Sequence, residues 1–201
     1  PLWKIFQSSW VLHVAHPLIA AAAAIPFFYW AKERMGDSLT AFTAAFIYLN
    51  FRFLQNLVRV GFAVEVFYPL FIFLALWAAA RSKNLIYYLA LGLGLLVKED
   101  SVIYFSALGL FLLFSPSTRR KGITTLFLSI AYLMVLLKVV LPWSGSDILT
   151  ADMGNFKNIG VSPREVVVNL LTRPWNFVTA FFDNPEKIKT LLKLTSKLLF
   201  L

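Results

Sequence analysis

The sequence predicts an all-α membrane protein: a polytopic bundle of about six transmembrane helices followed by a small helical extracytoplasmic segment. Hydrophobic residues make up 59% of the 201 residues and charged residues only 14%, whereas soluble domains carry about 45–50% and about 25%. The mean hydropathy is +0.73, and the 20 Phe and 6 Trp are typical of lipid-facing and interfacial positions. Several apolar runs approach the roughly 20 residues that cross a bilayer.

The candidate spans are six apolar runs, at about residues 10–31, 38–51, 61–80, 84–97, 101–114 and 123–141. Pro17 and Pro26 in the first run do not exclude a helix, because neighbouring helices satisfy the carbonyl groups that proline frees. Only Lys98-Glu99-Asp100 separates the fourth run from the fifth. One long helix would place three charges near the bilayer centre, which is costly. The sequence therefore predicts a hairpin with these charges at its tip.

The net charge of +9 indicates membrane topology and not nucleic-acid binding, because the basic residues fall mostly in short gaps between apolar runs. One side of the predicted bundle collects Lys32, Arg34, Arg81, Lys83, Arg119, Arg120 and Lys121, and the other collects Arg52, Arg59 and Lys98. Cytoplasmic loops are enriched in Lys and Arg. We therefore expect the first side to be cytoplasmic, in the cell (inner) membrane, with the N-terminus outside. The absence of cysteine excludes disulfides and thiolate metal sites.

Two domains are expected: a transmembrane bundle over residues 1–143, and an extracytoplasmic helical segment over residues 144–201 that leads towards a further span. Ser162-Pro163-Arg164-Glu165 has the cap, proline and glutamate of a helix start. Asn184-Pro185-Glu186 begins another helix, with apolar residues on one face and lysines on the other. Both chain ends look cut, so a segment of a longer membrane protein is expected.

The candidate substrate-binding residues begin with the charged hairpin tip. Lys98 offers a cation for a phosphate, and Glu99 and Asp100 offer carboxylates for a divalent metal ion or a hydroxyl group. The alternative is a charged turn that marks the membrane surface. Glu65 is a carboxylate early in the third run, and intramembrane carboxylates are functional candidates. Its alternative is an interfacial ion pair with Arg59 or Arg52.

Two further features carry a weaker signal. His13 and His16 share a helical face and could hold a metal ion, but they have no third ligand, so interfacial packing is favoured. Gly92-Leu93-Gly94 favours close helix packing over phosphate binding, because no strand precedes it. In the predicted topology the histidines, Arg52, Arg59, Glu65 and the hairpin tip lie near the outer leaflet, which indicates a site that faces outward.

The hairpin tip also carries a family resemblance. Leu95-Leu96-Val97-Lys98-Glu99-Asp100, followed by Ala107-Leu108-Gly109-Leu110, resembles a hallmark stretch of the uncharacterised prokaryotic membrane proteins called domain of unknown function 2079. The outer segment is similar too, at Asn158-Ile159-Gly160, Ser162-Pro163-Arg164-Glu165, Leu171-Thr172-Arg173-Pro174 and Pro185-Glu186-Lys187. Members often carry a Phe-His-Pro-Glu-like motif before the third helix, of which Phe62-Ala63-Val64-Glu65 keeps only the ends.

This family is similar to the C-type glycosyltransferases, which move sugars from polyprenyl-phosphate donors on the outer face of the membrane. The resemblance implies that Lys98 meets the lipid phosphate, assisted by Arg52 or Arg59. Glu99, Asp100 or Glu65 would bind a divalent metal ion or orient the acceptor hydroxyl. The catalytic acid is expected in the first outer loop, upstream of this chain, and so is not assigned. The alternatives are a transporter or lipid flippase with Glu65 as the coupling carboxylate, and a non-catalytic membrane scaffold.

Overall fold

The computed structural model describes residues 9–59 and 63–140, with isolated positions at 169, 172, 173 and 175. All regular structure in these residues is helical, which confirms the all-α class. The α-helices are α1 (Ser9–Ala22), α2 (Ala24–Met35), α3 (Ser38–Asn50), α4 (Arg52–Arg59), α5 (Phe67–Ala80), α6 (Asn84–Leu95), α7 (Ser101–Leu113) and α8 (Arg119–Val135). A 3₁₀ turn (Val64–Val66) precedes α5, and a π-helical turn (Leu136–Val140) follows α8.

Two helical segments within these residues are long and apolar enough to cross a membrane. Trp10–Met35 has 26 residues and a mean hydropathy of 1.8, and Arg119–Val140 has 22 residues and a mean hydropathy of 2.2. Four shorter apolar helices correspond to the other predicted runs: Ser38–Asn50, Val64–Ala80, Asn84–Leu95 and Ser101–Leu113. The predicted runs therefore correspond to helices, apart from one or two residues at the ends of some of them; residues 61, 62 and 141 lie outside the described part.

The first long segment is a helix with a local turn at Ala23. Hydrogen bonds from Ala23 N to Ile19 O (3.2 Å) and from Phe27 N to Ala23 O (3.3 Å) carry the helix across this turn. Pro26 is buried in the second half, and its ring nitrogen cannot donate to the preceding turn. α1 and α2 therefore form one long element despite both prolines.

Polar side chains and one glycine mark the helix ends and starts where the chain reverses direction. Gly36 adopts φ +73° and donates to Lys32 O, and Asp37 accepts from Thr40 N at 2.7 Å to begin α3. Ser101 Oγ donates to Leu95 O at 2.7 Å across the hairpin tip. α6 and α7 are thus separate helices, which confirms the predicted hairpin.

The main core lies between α5, α6 and α7. Its buried members include Tyr68, Leu76, Tyr87, Leu91 and Phe105. α2 and α3 pack against α5 through aromatic rings: Phe27 stacks on Phe73 with ring centroids 4.5 Å apart, and Tyr48 meets the same ring edge-on at 5.3 Å. α5 is therefore in contact both with α2 and α3, which precede it, and with α6 and α7, which follow it.

Glycines let α6, α7 and α8 approach closely. A Cβ at Gly94 would overlap the buried ring of Phe105, and a Cβ at Gly122 would lie 2.7 Å from Gly109 O. Small residues at such crossings are the usual device for close packing of membrane helices. Gly92, by contrast, has nothing within 4 Å of a built Cβ. The predicted packing role therefore holds for Gly94 and not for Gly92.

Contacts between helix termini place the basic loops together. Arg81, at the end of α5, pairs with Glu33 near the end of α2. Lys121 Nζ, at the start of α8, donates to Ala79 O at 3.1 Å. We call this the basic end, with Lys32, Arg34, Arg81, Lys83, Arg119, Arg120 and Lys121. The helices α3 and α6 start here and run to the opposite end, where Arg52, Glu65 and Lys98 lie.

The chain divides into two units, residues 1–136 and 137–201. The second unit is described only over residues 137–140 and at the four isolated positions. The predicted helix starts at Ser162 and Asn184 lie outside the described residues. The expected boundary at residue 143 and the extracytoplasmic place of the second segment stay predictions.

We expect Gly94→Ala to destabilise the protein and Gly92→Ala to leave it unchanged or slightly more stable. Overpacking against Phe105 costs about 1–3 kcal/mol, whereas alanine in open helix is favoured over glycine by up to about 1 kcal/mol in water. Thermal unfolding of the purified protein in detergent, followed by tryptophan fluorescence, measures the difference. Equal midpoints for the two variants would contradict the close packing at Gly94.

Candidate functional site

The centre of the candidate site is an ion pair between Lys98 and Glu65. Lys98 Nζ lies 2.9 Å from Glu65 Oε1, and the two side chains are 37% and 32% exposed. That exposure leaves the pair reachable from outside the bundle. The predicted alternative pairing of Glu65 with Arg59 or Arg52 is wrong, because Glu65 binds a lysine from a hairpin tip 33 residues further along the chain.

Helix direction brings these two residues together. The chain runs from Glu65 along α5 towards the basic end, and α6 packs beside α5 in the opposite direction. Lys98 follows the end of α6 and therefore lies at the same level as Glu65, which precedes α5. α6 ends at Leu95, three residues before Lys98. Leu96 N then donates to Gly92 O, and Val97 N donates to Gly94 O. The side chain of Lys98 is thereby set at a helix end, and not within a span.

A second contact joins the same two segments. Tyr68, three residues after Glu65, donates its hydroxyl hydrogen to Asp100 Oδ1, two residues after Lys98. The Tyr68 side chain is buried, with 4% exposure, and its ring lies 4.6 Å from that of Tyr104. We call Glu65, Tyr68, Lys98 and Asp100 the polar cluster. Sequence reasoning missed both tyrosines, although each follows a candidate carboxylate by one helical turn.

Lys98 keeps its charge in this arrangement. Its hydrogen bond to Glu65 raises the pKa of the Lys98 ammonium group above the usual range, and the other nearby carboxylates act in the same direction. An ammonium group has three N–H donors, and Glu65 is bound through one of them. The remaining donors are available to an anionic ligand. Glu99, between these residues in sequence, is exposed.

His16 supports the segment that leads to Glu65. The His16 side chain is buried at 1% exposure, and its Nε2 lies 3.1 Å from Ala63 O and 3.3 Å from Ala63 N. The ring therefore fixes the backbone two residues before Glu65. His13 is exposed on the same helix, so the two histidines meet different surroundings.

The described residues contain no group of three or more His, Cys, Asp or Glu side chains that could hold a metal ion. Within the polar cluster, the ammonium group of Lys98 already occupies a place beside the Glu65 carboxylate. Asp100 is bound to a tyrosine hydroxyl. These carboxylates are thus engaged in contacts that position the hairpin tip.

Arg52 and Arg59 belong to a feature that the sequence reading treated as a loop. They begin and end α4, a strongly amphipathic helix, in which Leu54 is buried while both arginines are exposed. The residues that the structure describes include no ion-pair partner for either arginine. The two arginines are therefore not brought to the Lys98–Glu65 pair by any described contact.

Comparison with known proteins gives one family. No curated protein and no solved structure matches the chain significantly. The family described as "Predicted membrane protein (DUF2079)" matches residues 1–201, which confirms the resemblance carried by the hairpin tip. The chain therefore belongs to the DUF2079 family of membrane proteins.

Proposed function

We propose that this membrane protein is a glycosyltransferase-like enzyme that binds a polyprenyl-phosphate-linked sugar at the polar cluster, on the outer face of the cell membrane. The observation that carries the proposal is the partly exposed Lys98–Glu65 pair at a helix break. A lysine is expected at this position by the similarity to C-type glycosyltransferases. The place of the pair also argues against a coupling carboxylate for transport, because both members lie at helix ends and not near the middle of a span.

Lys98 is the residue that would contact the donor phosphate. A charge-assisted hydrogen bond between an ammonium group and a phosphate oxygen is stronger than a neutral one, and Lys98 retains N–H donors beyond the one that binds Glu65. Glu65 repels a phosphate at close range, so the phosphate must approach on the face of the ammonium group that points away from it. Glu65 therefore acts as a positioning residue that orients Lys98 and keeps it protonated.

The two other charges of the tip have separate roles in this proposal. Asp100 is held by the Tyr68 hydroxyl and so fixes the tip relative to α5. Glu99 is exposed, and its carboxylate is the one left to orient an acceptor hydroxyl or to share a divalent metal ion with the substrate.

We expect Lys98→Ala to weaken the binding of undecaprenyl phosphate, measured by native mass spectrometry on the purified chain, by about ten- to a hundredfold. This range corresponds to the roughly 1.5–3 kcal/mol of a hydrogen bond to a charged group. Lys32→Ala, which removes an exposed lysine at the basic end, is the matched control and should bind as the unmodified protein does. Unchanged binding by Lys98→Ala would refute the assignment.

Exchanging the charges of Lys98 and Glu65 distinguishes a role of Lys98 in ligand binding from its contribution to stability. Lys98→Glu places two carboxylates side by side and should lower the thermal midpoint. The double variant Lys98→Glu/Glu65→Lys restores opposite charges and should recover most of that midpoint, since partly exposed pairs contribute up to about 1 kcal/mol. Undecaprenyl phosphate binding should stay weak in the double variant, because the cation has moved. If the double variant recovered both the thermal midpoint and undecaprenyl phosphate binding, binding would depend only on the presence of an ion pair and not on a cation at position 98.

The orientation can be tested directly because the sequence has no cysteine. We expect Glu99→Cys to react with a membrane-impermeant maleimide in intact cells, and Arg34→Cys to react only after permeabilisation. Cytoplasmic loops carry the excess of Lys and Arg, so we expect Arg34 and the basic end to lie inside. The reverse labelling pattern would place the polar cluster in the cytoplasm and exclude an outer-face donor site.

A further inference from the structure

We propose that the surface formed by α1 to α4 binds one anionic phospholipid of the bilayer. Its headgroup would contact Arg59, and one acyl chain would lie in an apolar groove along α3. The inference does not depend on the proposed enzymatic function, because neither Lys98 nor Glu65 lines the groove.

The groove joins two cavities. The first has a volume of about 340 Å³ and is lined by Pro17, Ala20, Ala21, Leu49, Leu54, Gln55, Val58 and Arg59. The second has a volume of about 360 Å³ and is lined by Ala24, Ile25, Phe28, Tyr29, Phe42, Ala45, Phe46 and Leu49. Leu49 lines both, so the cavities are neighbours along α3.

The polar groups of this groove are concentrated at one end. Gln55 and Arg59, both on α4, are in the first cavity, whereas the lining of the second is aliphatic and aromatic, with the hydroxyl of Tyr29 as its polar side-chain group. Phe42, Phe46 and Leu49 recur at helical spacing on one face of α3, and this face is about 10 Å long at 1.5 Å per residue. A polar end followed by an open apolar groove matches one headgroup and part of one hydrocarbon chain.

The charge of α4 selects an anionic headgroup. Its sequence, RFLQNLVR, has two arginines and no carboxylate, and the described lining of both cavities contains no Asp or Glu. An amphipathic helix that buries one apolar face and carries arginines on the other is typical of the membrane interface. The guanidinium group of arginine presents a planar set of donors that fits a phosphate.

The bilayer is the source of the occupant because the protein is a membrane protein. Large apolar side chains on α3 are exposed, including Phe42 and Phe46. Within the described residues these rings line the second cavity, and hydrocarbon chains are the apolar material that surrounds a membrane helix. A basic residue near the membrane surface further favours anionic over zwitterionic lipids.

Lipid titration of the purified, delipidated protein tests this proposal. Native mass spectrometry would compare phosphatidylglycerol with phosphatidylcholine of the same acyl chains. We expect phosphatidylglycerol to bind about tenfold more tightly, and Arg59→Gln to remove that preference, because the choline cation of phosphatidylcholine offsets the negative charge that Arg59 would meet. Arg34→Gln, which neutralises an exposed arginine at the basic end, is the matched control and should keep the preference.

A second variant tests the groove separately from the charge. Ala21 is an exposed lining residue of the first cavity, so Ala21→Leu should fill it without entering the core. Both lipids should then bind more weakly by a similar factor. Equal binding of the two lipids by the unmodified protein, or a preference that survives Arg59→Gln, would overturn the proposal. So would binding of undecaprenyl phosphate that Ala21→Leu weakens and Lys98→Ala leaves unchanged, because the groove would then belong to a prenyl chain.

Discussion

The geometry at one end of this bundle depends on two polar contacts between the start of α5 and the tip of the α6–α7 hairpin. Glu65 binds Lys98, and Tyr68 binds Asp100. Charged groups next to a hydrocarbon phase are costly unless they are paired. The free-energy cost is smallest when both segments lie at the same level, because each of the four polar groups then has a partner. This requirement sets where α5 starts and where α6 ends.

Neighbouring features serve the same arrangement. His16 holds the backbone before Glu65, and the Ser101 hydroxyl closes the tip by binding Leu95 O. Below the tip, the absence of a side chain at Gly94 lets the Phe105 ring pack against α6. The hairpin is thus anchored by polar contacts at its end and by close packing along its length.

Much of the fold follows from hydropathy, because backbone groups in a bilayer must be satisfied within each segment, and long apolar runs then have to be helices. The break at Lys98 followed from the cost of burying three charges. The short helix α4 was missed because its polar residues read as a loop, although Leu54, Leu57 and Val58 recur at helical spacing. The partner of Glu65 was also missed, since alternation of loops predicts the side on which a residue lies and not its neighbours.

The pairing of Lys98 with Glu65 has a consequence for the rate of ligand recognition. An isolated cation at the membrane surface attracts anions over a distance of about a Debye length, and such steering accelerates association at low salt. In the polar cluster the ammonium group of Lys98 lies among the carboxylates of Glu65 and Asp100, so the cluster as a whole does not attract anions from a distance. The polar cluster therefore recognises an anion only at short range, once the anion is in contact with it. Its encounter with the cluster depends on diffusion within the membrane, and added salt, which screens the carboxylates, does not slow it.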